Sequence, residues 1–422
     1  MQEPSAGDRS RPVQPRIDAA RLWNSLSALA DIGATGRGGV CRLALTDSDK
    51  EARDLFVRWC REAGCTVQVD AVGNIFARRR GRDDTLPVVL TGSHLDTQPN
   101  GGRFDGAYGV MAGLEIVRAL NDAGLDTEAP IEIVAWTNEE GTRFAPSMMG
   151  SMAHAGLLDL EQVYRSTDEH GCTFRAALDR IGYRGEGLGA RSIAAYLEAH
   201  IEQGPILEEA GTTIGVVTGG QGQCWYDVTL TGQDAHAGTT PMGRRRDALV
   251  GAADLIQAVR RIGSAFPPGG CATVGRLQVS PNSRNVIARE VMLTVEVRHP
   301  DDARRREMDE AVRSAVRQVA AQHRLQAQVA LLLDQAATPF DAQCVAAVRR
   351  AAAATGCTHM DIVSGAAHDA IALARRVPTA MVFVPCAGGI SHNESESATP
   401  HDLAAGCQVL LQAMLERSTV AS

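Results

Sequence analysis

The sequence predicts an α/β protein with a smaller α+β unit inserted into it. Three observations predict this. Up to about residue 212, short apolar runs bounded by Gly, Pro and polar residues alternate with segments of helical spacing. Between residues 223 and 333 the order of the segments becomes βαββαβ, that of a ferredoxin-like unit. From about Thr338 the first pattern resumes, so the insert divides the first unit in sequence. The divisions expected are a mobile tail at 1–15, a first part of the larger domain at 16–215, the insert at 216–333 and the rest at 334–422.

Apolar residues fall at helical spacing over 17–33 and again over 48–63, where Asp47 or Ser48 can cap the start. Strands are expected at 67–70, 74–78, 86–93 and 131–136, with a helix at 109–123; the last two strands read as buried, as in a sheet covered on both faces. An apolar-alternating run around His200 and Glu202 suggests a further strand. In the insert the strands are expected at 223–231, 272–279, 291–298 and 326–333, with helices at 241–262, opened by Pro241, and at 302–321. The last part contributes helices at 340–354 and 401–416 around a strand at 379–384.

The chain has 422 residues, 44% of them hydrophobic, enough for two or three domains with a substantial core. A net charge of −8, with short basic clusters only at Arg78–Arg80 and Arg244–Arg246, speaks against nucleic-acid binding. Ten cysteines without a C-x-x-C pair form neither a disulfide framework nor a zinc finger, and a reducing cytoplasm fits them. The first residues lack an apolar stretch behind a basic start, and no run approaches the length of a membrane span; neither a secretory signal nor a membrane partner is expected.

Chemistry concentrates at the ends of the apolar strands. Glu139 and Glu140 follow the run 131–136; taken alone, they fit either a solvated turn or a site in which one acid binds a metal and the other moves protons. His94 and Asp96 follow the run 86–93, and Asp105 lies in a loop with Gly101, Gly102, Gly106 and Gly109, whose freedom of φ permits a side chain to be turned inward. Imidazole and carboxylate are ordinary ligands of zinc and related cations. His200, with Glu202 nearby, and His392, beside glycines, bring three separated histidines next to strand ends.

Eight segments in order, GSHLDTQPNGGRFDGAYGV, NEEGTRFAPSMMGS, HIEQGPILE, GQDAHAGTTPM, PNSRNVI, VRHPDD, SGAAHDA and GISHNE, resemble the amidase, hydantoinase and carbamoylase group of the dinuclear metallopeptidase and aminoacylase clan. The resemblance runs from about Ile17 to the last helix. It implies a dinuclear metallopeptidase-like α/β catalytic domain, with the ferredoxin-like insert acting as lid and dimer contact. It also implies two divalent cations per subunit (zinc, manganese, cobalt or nickel), one held by His94 and His200, the other by Glu140 and His392, with Asp105 bridging. Glu139 would be the general base, and Asp96 would orient His94 through its other ring nitrogen. His236 would stabilise the oxyanion, reaching across from the partner of a homodimer. Asn285 and Arg298 would hold a substrate carboxylate, with Gln203 in the same region and His368 near it. Ala367 stands where the group usually has glycine, and Ala107 and Tyr108 occupy a variable position.

The implied activity is hydrolysis of a linear amide or ureido C–N bond, with N-carbamoyl-β-alanine or an N-carbamoyl-L-amino acid as the small, carboxylate-bearing ureido substrate. Allantoate is the alternative. N-acyl amino acids and dipeptides rank lower, because peptidase relatives carry an acid where this chain has His200. A non-catalytic binding module on the same scaffold ranks last, since no ligand is missing. His154, His170, His323, His359 and His401 lie in no motif and read as surface or packing.

Overall fold

The structure is a computed structural model that describes residues 15–187 and 191–419. The expected mobile tail falls, but for Pro15, outside the described residues. The chain divides into two compact units, Met1–Thr218 with Phe340–Ser422, and Gly219–Pro339.

The first unit is built on a mixed sheet. Its strands are β1 (Thr66–Val69), β2 (Ile75–Arg79), β3 (Val88–His94), β4 (Ile131–Trp136), β5 (Ile193–Ile201) and β6 (Ile214–Gly220). The second unit contains β7 (Gly222–Thr231), β8 (Cys271–Ser280), β9 (Glu290–His299) and β10 (Gln326–Gln335), followed by the two-residue β11 (Thr338–Pro339). Then come β12 (His359–Ser364) and β13 (Thr379–Val384). The large sheet runs β1-β2-β4-β3-β5-β13-β6-β11, with β12 paired to β6. Its middle strands β4, β3, β5 and β13 are mutually parallel, and β3, β4 and β13 are buried along their whole length. Full burial on both faces is why these runs are mostly apolar and do not alternate, with Glu132, Thr91 and Ser93 buried among them. Parallel strands place all their carboxyl ends on one rim: His94 is in register with Trp136, and Phe383 with His200.

The helix Ala107–Asp122 is buried over most of its length and packs on β3, and the helices Ala342–Ala354 and Pro400–Thr419 pack on one another. Asp47–Glu62 is capped by Thr46, whose hydroxyl accepts from the Asp49 amide at 3.4 Å, not by Asp47 or Ser48. Those two residues already carry helical backbone, so the side chain one position earlier is the one that reaches a free N–H. Several elements had no clear sequence signal: β6, β12 and the short helices Met149–His154, Leu160–Arg165, Phe174–Ile181 and Asp369–Leu373. Five to eight residues are too few to establish a period.

A buried ion pair supports the site from behind. Arg53, 2% exposed, donates through Nε to Asp49 at 2.8 Å and through its guanidinium NH groups to the Gly73 carbonyl at 2.7 Å and to Thr137 Oγ1 at 3.2 Å. Removing one partner strands a charge in the core. Asp49→Ala is therefore expected to lower unfolding free energy by about 3–5 kcal/mol, read from the urea midpoint. A loss below about 1 kcal/mol would show the pair to be dispensable.

The second unit has the expected βαββαβ order, with sheet order β10-β7-β9-β8, all neighbours antiparallel. One face, with Tyr226, Val228, Leu230, Leu293, Val295 and Val297, packs under its two helices. The first of these corrects the sequence expectation. Pro241 starts only a short 3-10 turn at Met242–Arg244, Arg245 is extended (ψ 144°), and the α-helix runs Ala248–Ala265. The Asp247 carboxylate accepts from the amides of Leu249 and Val250 and opens the helix there.

Candidate metal and amidohydrolase site

Nine of the twelve residues singled out in the sequence come together at the rim formed by β3, β4, β5 and β13. His94 is the last residue of β3 and His200 the penultimate residue of β5. After β4 the chain turns at Asn138, which sits in the left-handed region (φ 57°), a conformation asparagine tolerates better than most residues. His392 does not directly follow a strand. Val384 ends β13, a 3-10 turn at Ala387–Gly389 intervenes, and His392 lies in an irregular loop with φ 53°. Gln203 has φ 58°. Three such non-glycine residues at one rim cost roughly 1–3 kcal/mol each and mark a place where side-chain position outweighs backbone comfort.

Asp105 is the centre of the arrangement. Its Oδ1 lies 3.2 Å from His200 Nε2 and 3.6 Å from His94 Nε2, while its Oδ2 lies 3.2 Å from His392 Nε2. Glu140 Oε2 is 3.4 Å from the same His392 nitrogen. Among the described residues three groups of potential ligands form; two of them, His94–Asp105–His200 and Asp105–Glu140–His392, share this carboxylate, and the third is Glu198–His200–His368. Two of the three imidazoles are held by the far nitrogen: Nδ1 of His94 donates to the Asp96 carbonyl and Nδ1 of His200 to the Ile201 carbonyl, both at 2.9 Å. Those bonds keep a proton on each Nδ1, so that loss of the Nε2 proton would offer each lone pair to a cation beside Asp105. Gly106 makes the approach possible. It has φ 64°, and a Cβ there would collide with the His94 ring.

Asp96 corrects the reading that its carboxylate orients His94. Its Oδ1 is 4.0 Å from His94 Nδ1, and the two oxygens instead accept from the Glu139 and Glu140 amides, each at 3.2 Å. The turn at Asn138 points those N–H groups at it, and a buried carboxylate goes to the unpaired donors. The Gln203 amide donates to Asp105 Oδ2 at 2.9 Å and to Ser391 at 3.2 Å. Glu202 turns away from His200 and accepts from the Ile206 and Leu207 amides.

The fit to cations is electrostatic. Asp96, Asp105, Glu139, Glu140 and three histidines are crowded together, nearly all of them buried. Burial, reinforced by Asp369, Glu140 and Asp96, holds the Glu139 carboxyl well above its ordinary range. Burial and Asp105 push Glu140 up to about 7. Burial works against charge on Asp105 too, but hydrogen bonding to His200, His392 and His94 outweighs it and drives its proton affinity well below the usual value. Excess carboxylates around three imidazoles form a donor set suited to divalent metal binding.

The sequence profile of the peptidase family M20/M25/M40 matches residues 90–416. The chain belongs to this family. Within the M20/M25/M40 peptidases it belongs to the hydantoinase and carbamoylase group. It is 56% identical, with a TM-score of 0.92, to the crystal structure of an amidase of the hydantoinase/carbamoylase family from Burkholderia multivorans, over 97% of this chain and 100% of that one. It is 45% identical to the N-carbamoyl-L-amino-acid amidohydrolase of Rhizobium meliloti, over 96% of this chain and 98% of the relative. To the allantoate amidohydrolase of Escherichia coli strain K12 it is 33% identical, over 92% and 95%. Like these M20 relatives, it is a hydrolase acting on amide or ureido C–N bonds.

Other members of the M20 site escaped sequence reasoning. Gln98 donates to Glu140 Oε2 at 2.6 Å, with its own amide oxygen fixed by Thr142 at 2.7 Å. Glu198, wholly buried, accepts from Ser93 at 2.7 Å and from the Ala370 amide at 3.0 Å. Its position two before His200 on β5, hence on the same face, was a usable signal. His368, already singled out in the sequence, has its ring centroid 4.4 Å from that of His200 with the planes tilted by 58°, and burial together with His200 holds its proton affinity well below the ordinary value. No helix among the described residues is long and apolar enough to cross a membrane. All ten cysteines are free.

The remaining three residues lie on the second unit. The His236 strap pairs with the segment after Asn285, with Ala237 N donating to the Asn285 carbonyl and Ile287 N to the Ala235 carbonyl, both at 2.9 Å. His236 Nδ1 accepts from the amides of Gly238 and Thr239, at 3.0 and 3.3 Å. The ring proton therefore sits on Nε2, which faces outward as a donor. Arg298 lies on the β9 face opposite the helices and pairs with Glu296, two residues before it on the same face.

Proposed function

We propose that this chain hydrolyses N-carbamoyl-L-amino acids to the free amino acid, ammonia and carbon dioxide. The observation that supports this most is the division of Asp105, one oxygen toward His94 and His200 and the other toward His392. One carboxylate facing two ligand sets is what a pair of closely spaced cations requires. On this reading His94 and His200 would hold one divalent cation and Glu140 and His392 the second, and Asp105 would be a ligand of both. When bound, such cations polarise the carbonyl and lower the proton affinity of water.

The protein's own groups do the rest. Glu139, whose Oε2 lies 3.6 Å from His94 Nε2, takes a proton from the attacking water as the water oxygen bonds to the carbamoyl carbon. It then passes that proton to the departing nitrogen as the C–N bond breaks. The carbamic acid left behind loses carbon dioxide and yields the second amine. Asp96 holds the amides of Glu139 and Glu140 and so sets where both carboxylates point.

From the second unit, His236 donates a hydrogen bond from Nε2–H to the oxyanion and keeps its proton. Asn285 and Arg298 hold the substrate carboxylate, Arg298 with two parallel N–H groups. That unit serves as lid and dimer contact, with His236 reaching the partner's site. Its exposed Trp225, Leu277, Leu331 and Leu332 support a covered surface.

An ammonia-release panel of N-carbamoyl-L-amino acids, N-carbamoyl-β-alanine and allantoate tests the substrate. The highest kcat/KM is expected on an N-carbamoyl-L-amino acid. Faster turnover of allantoate would favour the second reading, which the 33% identity to the E. coli enzyme supports. Arg298→Ala is expected to raise KM at least about tenfold with little change in kcat, as loss of a charge-assisted contact of about 1.5–3 kcal/mol predicts. An unchanged KM would remove Arg298 from the carboxylate site.

A further inference from the structure

The geometry points to Glu396 as a positioning residue that staples the shared Asp105 to the loop carrying His392. This rests on the reading of Asp105 as a ligand of two cations. Glu396 is 4% exposed and lies four residues after His392. Its Oε1 accepts from the backbone amides of Phe104 at 2.9 Å and Asp105 at 3.1 Å. Its Oε2 is 2.8 Å from the hydroxyl of Ser391, the residue before His392. The same hydroxyl is 3.3 Å from Asp105 Oδ2; having one proton, it gives it to the nearer acceptor, Glu396.

One carboxylate thus joins segments 291 and 292 residues apart in sequence, both next to a ligand of the second cation. Its oxygens are taken up by three donors and are not offered to a cation. The space it fills is prepared for it. A Cβ on Gly102 would land on the Glu396 carboxyl, so the glycine-rich loop passes close only because that position has no side chain. His392 needs such a staple, because its loop has no ladder of backbone bonds and holds a left-handed φ of 53°. Without it the loop relaxes and the separation of His392 Nε2 from Asp105 Oδ2, 3.2 Å here, is no longer set.

The test uses full-length wild type, Glu396→Ala, Glu396→Gln and Ser391→Ala, stripped with chelator and titrated with cobalt(II). Ions per chain are counted by mass spectrometry, and circular dichroism and Tm are recorded on the stripped proteins. Wild type is expected to bind two ions. Glu396→Ala is expected to keep its fold and the tighter ion while binding the weaker one about 10–100-fold less well. Glu396→Gln should stay within about threefold of wild type, because its amide oxygen still accepts both amides and its NH2 still reaches Ser391. Two ions bound by Glu396→Ala with wild-type affinity would overturn the inference. If Glu396→Ala fails to fold, Ser391→Ala carries the test: weakening of the second ion supports the staple, and unchanged binding overturns it. A wild type that binds fewer than two ions would instead overturn the dinuclear reading on which the staple rests.

Discussion

Glu139→Gln is expected to fold, to bind cations as the wild type does, and to turn over its best substrate roughly 10²–10⁴-fold more slowly. The substitution changes little but charge and basicity. Glu139 is held by its backbone, through the Asp96 carboxylate, and glutamine leaves that amide contact in place. In the proposed arrangement its side chain is no ligand: the two ligand groups leave it out, although its Oε2 lies 3.6 Å from His94 Nε2. Loss of turnover with intact cation content would isolate the proton-transfer role. Wild-type turnover would remove Glu139 from that role, and loss of a bound ion would reassign it as a ligand.

Asp105→Ala should have the larger effect and of a different kind. Three imidazole nitrogens face this carboxylate at 3.2–3.6 Å, and Gln203 donates to it as well. Removing it takes a ligand from both groups at once and leaves the histidines without their common acceptor. Bound cobalt or zinc is expected to fall from two ions to fewer than one per chain. Activity should drop by more than in Glu139→Gln, and the rise in Tm that cations confer on the wild type should disappear. Two ions retained with measurable turnover would refute the shared-ligand reading. The pair of variants separates two kinds of failure, one with cations present and proton transfer absent, the other with the cations gone.

Much of this site was legible because it is assembled from the ends of elements with strong sequence signals. The apolar strands ending near His94, Trp136 and Val384 were recognisable, and parallel strands deliver their ends to one rim whatever the details of packing. The groups around them were harder to read. Asp96 was identified as a member of the site, yet which of its atoms faces His94 depends on a left-handed turn at Asn138, 42 residues later. Glu198 carried a readable period-two relation to His200, whereas Glu396 sits in a polar loop with no period at all. Gln98 looked like any loop amide until folding put Glu140 2.6 Å from it.

The sequence by itself determined the α/β class, the inserted βαββαβ unit and the residue types able to hold cations, because burial and backbone period leave direct marks on residue order. It also determined the family, through eight motifs in register. Only the tertiary structure decided that the two oxygens of Asp105 face different histidines, that Asp96 serves the backbone of the glutamate pair, and that Gln203 and Glu396 act on Asp105. Those contacts join segments up to nearly 300 residues apart in sequence, and hydrogen bonds of fixed length and direction exist only once folding brings such segments within about 3 Å.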